Sequence, residues 1–137
     1  MIWRITILVT LAAVVIAVVY WRLADGGQPP SGEALADVFV PPLSANGTEG
    51  EALFNASCAS CHGTAAAGRN GVAPPLVHII YEPNHHADAA FVLAIRNGVR
   101  AHHWRFGNMP PVEGLSDEQI AKITTYIREL QRANGIQ

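Results

Sequence analysis

From Ile5 to Trp21 the chain runs 17 residues with no charge and only two threonines. As a helix this run would span ~25 Å, at the short limit for crossing a bilayer. Trp3 stands at one end and Tyr20 and Trp21 at the other. Trp3 and Trp21 would be ~27 Å apart, a spacing that suits two interfacial aromatic belts. The pattern predicts a single N-terminal transmembrane helix over residues 1–23. The competing reading is a cleaved signal peptide, which needs a small-x-small site close behind the apolar run. Trp21-Arg22-Leu23 offers none, and Ala34-Leu35-Ala36 lies 13 residues beyond Trp21. The uncleaved anchor is therefore the expectation.

Behind that run the pattern changes twice. Residues 24–47 carry Gly26-Gly27, Pro29-Pro30, Gly32 and Pro41-Pro42, which break regular elements and predict a linker. Leu35, Val38, Phe39 and Val40 are too apolar for a free linker and are expected to pack on the domain or on a partner. Residues 48–137 then read as one small all-α domain. Thr48 with Glu51 forms a capping-box pattern for a first helix. Asp88 to Asn97 reads as a helix stopped by Gly98. Ser116 with Gln119 opens a last helix, along which Ile120, Ile123, Ile127 and Leu130 recur at helical spacing. Asp117 and Glu118 start it and Arg128 and Arg132 end it, as the macrodipole favours. No segment alternates as a strand.

Charge and cysteine count narrow the chemistry. The formal net charge is −2, and the part after Leu23 holds seven Lys/Arg against eleven Asp/Glu. A nucleic-acid partner is not expected, because phosphate binding needs a basic face. Two cysteines cannot make a disulfide framework, a four-thiolate zinc site or an iron–sulfur cluster within this chain alone.

Those two cysteines stand in Cys58-Ala59-Ser60-Cys61-His62, which matches C-x-x-C-H, the attachment signature of a c-type haem. Two thiols at this spacing can add to the two vinyl groups of one haem, and the adjoining imidazole then lies under the iron. A thioredoxin-like redox pair or half of a zinc site are the alternatives; the first wants a βα context and the second wants further ligands. A second iron ligand is sought by elimination. Met1 begins the apolar run, which leaves Met109, 47 residues after His62, in Phe106-Gly107-Asn108-Met109-Pro110-Pro111. A lone methionine is ordinarily a core residue. Its place before two prolines in a polar loop favours ligation of the iron.

Together these residues resemble class I cytochromes c, over about residues 48–132. Gly50 and Phe54 match the glycine and aromatic of the family's first helix, and Tyr126 matches the aromatic of its last. Pro75-Leu76 resembles the family's Pro-Leu, and Met109-Pro110 its Met-Pro. The resemblance implies a small cytochrome c fold wrapped around one covalent haem c. It implies that Cys58 and Cys61 attach the haem and that His62 and Met109 ligate its iron. It implies, too, that the Pro75 carbonyl accepts the His62 Nδ1 hydrogen bond.

Iron held by His and Met has no vacant position, so the expected activity is one-electron transfer in a respiratory or related chain, not enzymatic turnover. The expected partners are the membrane and redox proteins such as a quinol-oxidising complex or a terminal oxidase. Haem attachment of this kind implies a bacterial inner-membrane protein with its haem domain on the periplasmic side. Five histidines remain: His78, His85, His86, His102 and His103. The pairs His85-His86 and His102-His103 suggest copper binding or redox sensing as an alternative function. Solvated loop residues, or partners for haem propionates, are the plainer reading. Arg96, Arg100 and Arg105 are read as propionate or partner contacts, or as a solvated face.

Overall fold

The computed structural model describes residues 3, 11–20 and 31–137. Residues 11–20 are helical and exposed. The expected anchor over 1–23 falls otherwise outside the described residues, apart from Trp3. Among the described residues no helix is long and apolar enough to cross a membrane.

Four helices build the domain: α1 (Ala45–Ser57), a single turn α2 (Ala59–His62), α3 (Asp88–Asn97) and α4 (Asp117–Ala133). Short 3-10 turns lie at Thr64–Ala66 and Ile79–Tyr81. The described residues contain no strand, only two isolated bridges, Arg69 with Ala73 and Val99 with Met109.

Helix α1 begins a turn earlier than the Thr48–Glu51 pattern predicts. Ser44 is its N-cap, accepting from the Gly47 N–H at 3.0 Å. The reason is tertiary. Ser44 also donates its N–H and its hydroxyl to the Glu129 carboxylate on α4, at 3.1 and 2.6 Å. Thr48 sits inside the first turn with its hydroxyl on the Ser44 carbonyl. Helix α3 ends at Gly98 (φ +73°), and α4 opens with the full Ser116–Gln119 capping box, both as the sequence predicts.

Helices α1 and α4 cross at Gly50. A Cβ there would overlap the Lys122 carbonyl oxygen, so only glycine lets the two backbones meet. One turn on, the Phe54 and Tyr126 rings lie 5.5 Å apart, both fully buried. Ile120, Ile123, Ile127 and Leu130 extend this core along α4, and Phe91 and Ile95 join it from α3.

Beside the apolar stripe of α4 runs a second buried stripe, Thr124, Arg128 and Gln131, which is polar. Arg128 pairs with Asp88 through Nε at 2.7 Å and donates to the Tyr81 and His86 carbonyls and to Gln131. Its guanidinium also stands over the Phe91 ring, 4.9 Å from the centroid. Gln131 donates to the Leu76 and Tyr81 carbonyls at 2.8 and 3.1 Å. Arg128 was expected to serve the helix end; instead it holds an irregular loop.

Residues 31–44, expected to belong to a linker, lie along the domain as a strap. The Gly32 N–H donates to the Asn70 carbonyl and the Asn70 N–H to the Glu33 carbonyl, while the Leu35 and Ala36 N–H groups share the Ala67 carbonyl. Asn134 pairs with both backbone groups of Phe39. Val38 and Leu43 pack against the core, whereas the Phe39 side chain stays exposed.

Candidate functional site

The backbone bends at Cys58 (φ −124°), where α1 stops and α2 begins. The Cys61 and His62 N–H groups both return to the Cys58 carbonyl. This single turn brings Cys58, Cys61 and His62 to the wall of one apolar cavity of about 460 Å³. Met109 reaches the same wall from the far end of the chain. Its loop is closed by a paired bridge, in which Val99 and Met109 exchange N–H···O bonds of 2.9 Å. Gly98 permits the approach, because a Cβ there would stand 2.5 Å from the Met109 carbonyl oxygen. Met109 is half-buried against the core as well, so packing and cavity lining coincide.

His62 is buried, and its Nδ1 lies 2.9 Å from the Pro74 carbonyl oxygen. A carbonyl only accepts, so Nδ1 carries the proton and Nε2 keeps its lone pair. Burial lowers the proton affinity of the ring, against the opposing pull of that hydrogen bond, and so favours neutral imidazole. A neutral ring with a fixed tautomer is what an iron ligand requires.

The acceptor is Pro74, not Pro75 as the resemblance implied. The register has a local cause. The Leu76 N–H is tied to the Ala66 carbonyl. Neighbouring residues of an extended chain direct their backbone groups to opposite sides. Pro74, two positions before Leu76, thereby comes to the 62–66 turn with its carbonyl on His62.

The Cys58 thiol is pushed up to about 11, first by burial and then by the neighbouring Cys61. A thiol-exchange centre needs a lowered value, so this environment argues against a thioredoxin-like pair. Addition to a bound group inside the cavity asks for no exposed thiolate at rest.

A haem fits what surrounds the cavity. The wall is apolar, with Phe54, Phe91, Ile95, Ile123 and Ile127 along it. Trp104 also lines it, stacked on Phe106 at 5.8 Å. Its indole N–H is buried with no well-formed hydrogen bond among the described residues; burial raises the proton affinity of the Tyr81 hydroxyl, and the nearby indole N–H offsets part of that rise. An orphaned donor in an apolar wall calls for an acceptor from within, and the propionates of a haem are acceptors.

The remaining candidates divide. His78 caps the 3-10 turn through the Ile80 N–H and meets Trp104 edge-on. His85, His86 and His103 come together, while the His102 Nδ1 lies 2.8 Å from the Arg100 carbonyl oxygen. Arg96 binds the Leu115 carbonyl and Asp117, tying α3 to the start of α4. Arg100 and Arg105 are absent from the cavity wall. Sequence reasoning missed Gln131 as a loop clamp. Gln131 was open to detection, since Thr124, Arg128 and Gln131 repeat at helical spacing beside the isoleucines.

No curated protein and no solved structure matches the chain. The family model for cytochrome c does match, over residues 47–131. Its span takes in the attachment turn, the Pro74 acceptor, the histidine loops and Met109, and covers more than half of the sequence. The chain therefore belongs to the cytochrome c family, electron-transfer proteins that bind haem c covalently.

Proposed function

We propose that this chain carries a single haem c, with thioether bonds to Cys58 and Cys61 and with His62 and Met109 as the iron ligands, and works as a membrane-anchored one-electron carrier. The observation that carries the reading is convergence. Four side chains of the right types, two of them 47 residues apart, line one apolar cavity. The bound haem supplies a one-electron couple. The protein's own residues do the rest. Pro74 holds the His62 ring in the ligating tautomer. Phe54, Phe91 and the α4 isoleucines exclude water. The Val99–Met109 bridge sets the position of the thioether. With both ligands in place the iron has no open site, which favours electron transfer over turnover.

The anchor is part of the same reading. The uncharged run from Ile5 to Trp21 supports it, as do the exposed apolar side chains of Val14, Ile16, Val18 and Val19. Tethering raises the effective concentration of the domain at fixed partners. We place the haem domain on the periplasmic side of a bacterial inner membrane. Its partners there are a quinol-oxidising complex or a terminal oxidase.

The test is direct. Denatured protein should keep haem-dependent peroxidase stain at one haem per chain, and the Cys58→Ala, Cys61→Ala double variant should lose it. Stain lost from the native sequence on denaturation would refute covalent attachment. Native protein should also stay with membranes through a carbonate wash, because a spanning helix is held by apolar transfer and not by screened charge. Release by that wash would refute the anchor and leave the haem site standing.

A further inference from the structure

The electron-carrier reading leaves the paired histidines without work. His85 and His86 follow the Ile79–Tyr81 turn, and both of their N–H groups bond the Glu82 carbonyl. His103 stands 17 positions after His86, in the loop that leads to Met109. The fold brings the three together at the open edge of the cavity, where His86 and His103 contribute to its wall and His85 faces solvent.

We infer that His85, His86 and His103 form a binding site for one late first-row divalent cation, zinc(II) or copper(II). Each residue offers a ring nitrogen, and the three nitrogens lie within 4.8 Å of one another. The Nε2 atoms of His85 and His103 are 3.4 Å apart. Two nitrogens bound tetrahedrally to one ion at 2.0–2.1 Å would be about 3.3 Å apart. The closest pair therefore already has the separation of two ligands on one ion.

The third ligand is held from behind. His86 Nδ1 lies 2.6 Å from the Ile80 carbonyl oxygen, so it carries the proton and leaves Nε2 free. The backbone of His86 is held too, because Arg128, buried on α4, donates to its carbonyl. A ligand fixed at both ring and backbone has little ordering left to do when the ion arrives. The proton affinity of His103 is lowered by lost solvation and by the positive charge that His102, His86 and His85 would carry. That crowding disfavours the charged form of His103.

Donor chemistry selects the ion. Three imidazoles and no carboxylate disfavour calcium and magnesium, which take oxygen ligands. With no thiolate or thioether in the set, soft copper(I) is disfavoured also. Three nitrogens with one open position suit zinc(II) and copper(II). The alternative is a proton shared between His85 and His103, with the rings turned toward a propionate.

The two readings part on direct binding. Untagged holoprotein is titrated with zinc(II), and separately with copper(II), in competition with a chromogenic chelator. We expect one equivalent of at least one ion to bind saturably. His85→Ala and His103→Ala should each weaken that binding about ten-fold or more, while His102→Ala should leave it within about three-fold. Where copper(II) binds, its paramagnetic spectrum should show coupling to several nitrogens that is lost in the double variant. Both substituted side chains are exposed, and an unchanged far-ultraviolet circular dichroism spectrum reports an intact fold. Absence of saturable binding by either ion, or binding indifferent to the His85→Ala, His103→Ala double variant, would overturn the site. This readout does not depend on the assignment of Met109.

Discussion

At the crossing of α1 and α4 the two backbones touch through Gly50, and apolar side chains at helical spacing fill the space behind it. On the other side of the cavity, residues 76–87 and 99–111 contain one 3-10 turn and no α-helix. They are held by a guanidinium, a carboxamide and one bridged pair of residues. The first region is specified by shape and apolar burial, the second by directed hydrogen bonds from a few buried polar groups. Both iron-ligand candidates sit where such polar fastening is used: His62 on the Pro74 carbonyl and Met109 on Val99.

The largest effect should come from the apolar side. Gly50→Ala places a methyl on the Lys122 carbonyl, where neither backbone has a rotamer to yield. We expect a loss of about 3 kcal/mol or more in denaturant unfolding of the holoprotein, although alanine is the better helix former. A neutral outcome would mean that the two helices part without cost.

Arg128→Met should cost less, about 1.5–3 kcal/mol, the range for hydrogen bonds to charged groups. Asp88, its ion-pair partner, is exposed and can return to water. The loss should be local as well. Amide hydrogen exchange should quicken at His85 and His86 before it quickens at Tyr126. Uniform acceleration across the domain would erase the distinction between the regions.

Ser44→Ala removes the α1 cap and the contact with Glu129, and we expect about 1 kcal/mol. Thr48→Ala should fall below it, because Thr48 is not the cap. The reverse order would restore the start of α1 that the sequence pattern predicts.

The smallest effect concerns Tyr126, whose buried hydroxyl has no hydrogen-bond partner among the described residues. Burial, and after it the charge of Glu51, pushes its phenol up to about 12. The folded value lies above the ordinary value of 10, so this group's contribution is complete below pH 10 and is lost as pH rises toward 12. Tyr126→Phe should be neutral to about 1 kcal/mol stabilising at pH 7, and should shrink the alkaline loss. A strongly destabilised variant would reveal a partner for the hydroxyl.

The two regions also differ in how far the sequence discloses them. The isoleucines of α4 are legible because helical periodicity is a local signal, and Gly50, Phe54 and Tyr126 because they match the family's pattern. C-x-x-C-H is legible because one turn carries it. The Pro74 acceptor is not, since its register depends on Leu76 bonding Ala66 ten residues away. The start of α1 at Ser44 depends on Glu129, and the meeting of His85 with His103 on two loops that Arg128 and the Val99–Met109 bridge arrange. Hydrogen bonds between irregular segments leave no period behind them.

We propose that the cavity presents two ligands, His62 and Met109, to one iron. The measurement is carbon monoxide binding to ferrous holoprotein, native against Met109→Ala, with the ferric near-infrared spectrum recorded alongside. Native protein should bind the gas slowly or not at all and show the weak long-wavelength band of thioether-to-iron ligation. Met109→Ala should bind it rapidly, lose the band and shift to a lower reduction potential. Rapid binding by native protein, or a band that survives in Met109→Ala, would contradict the account.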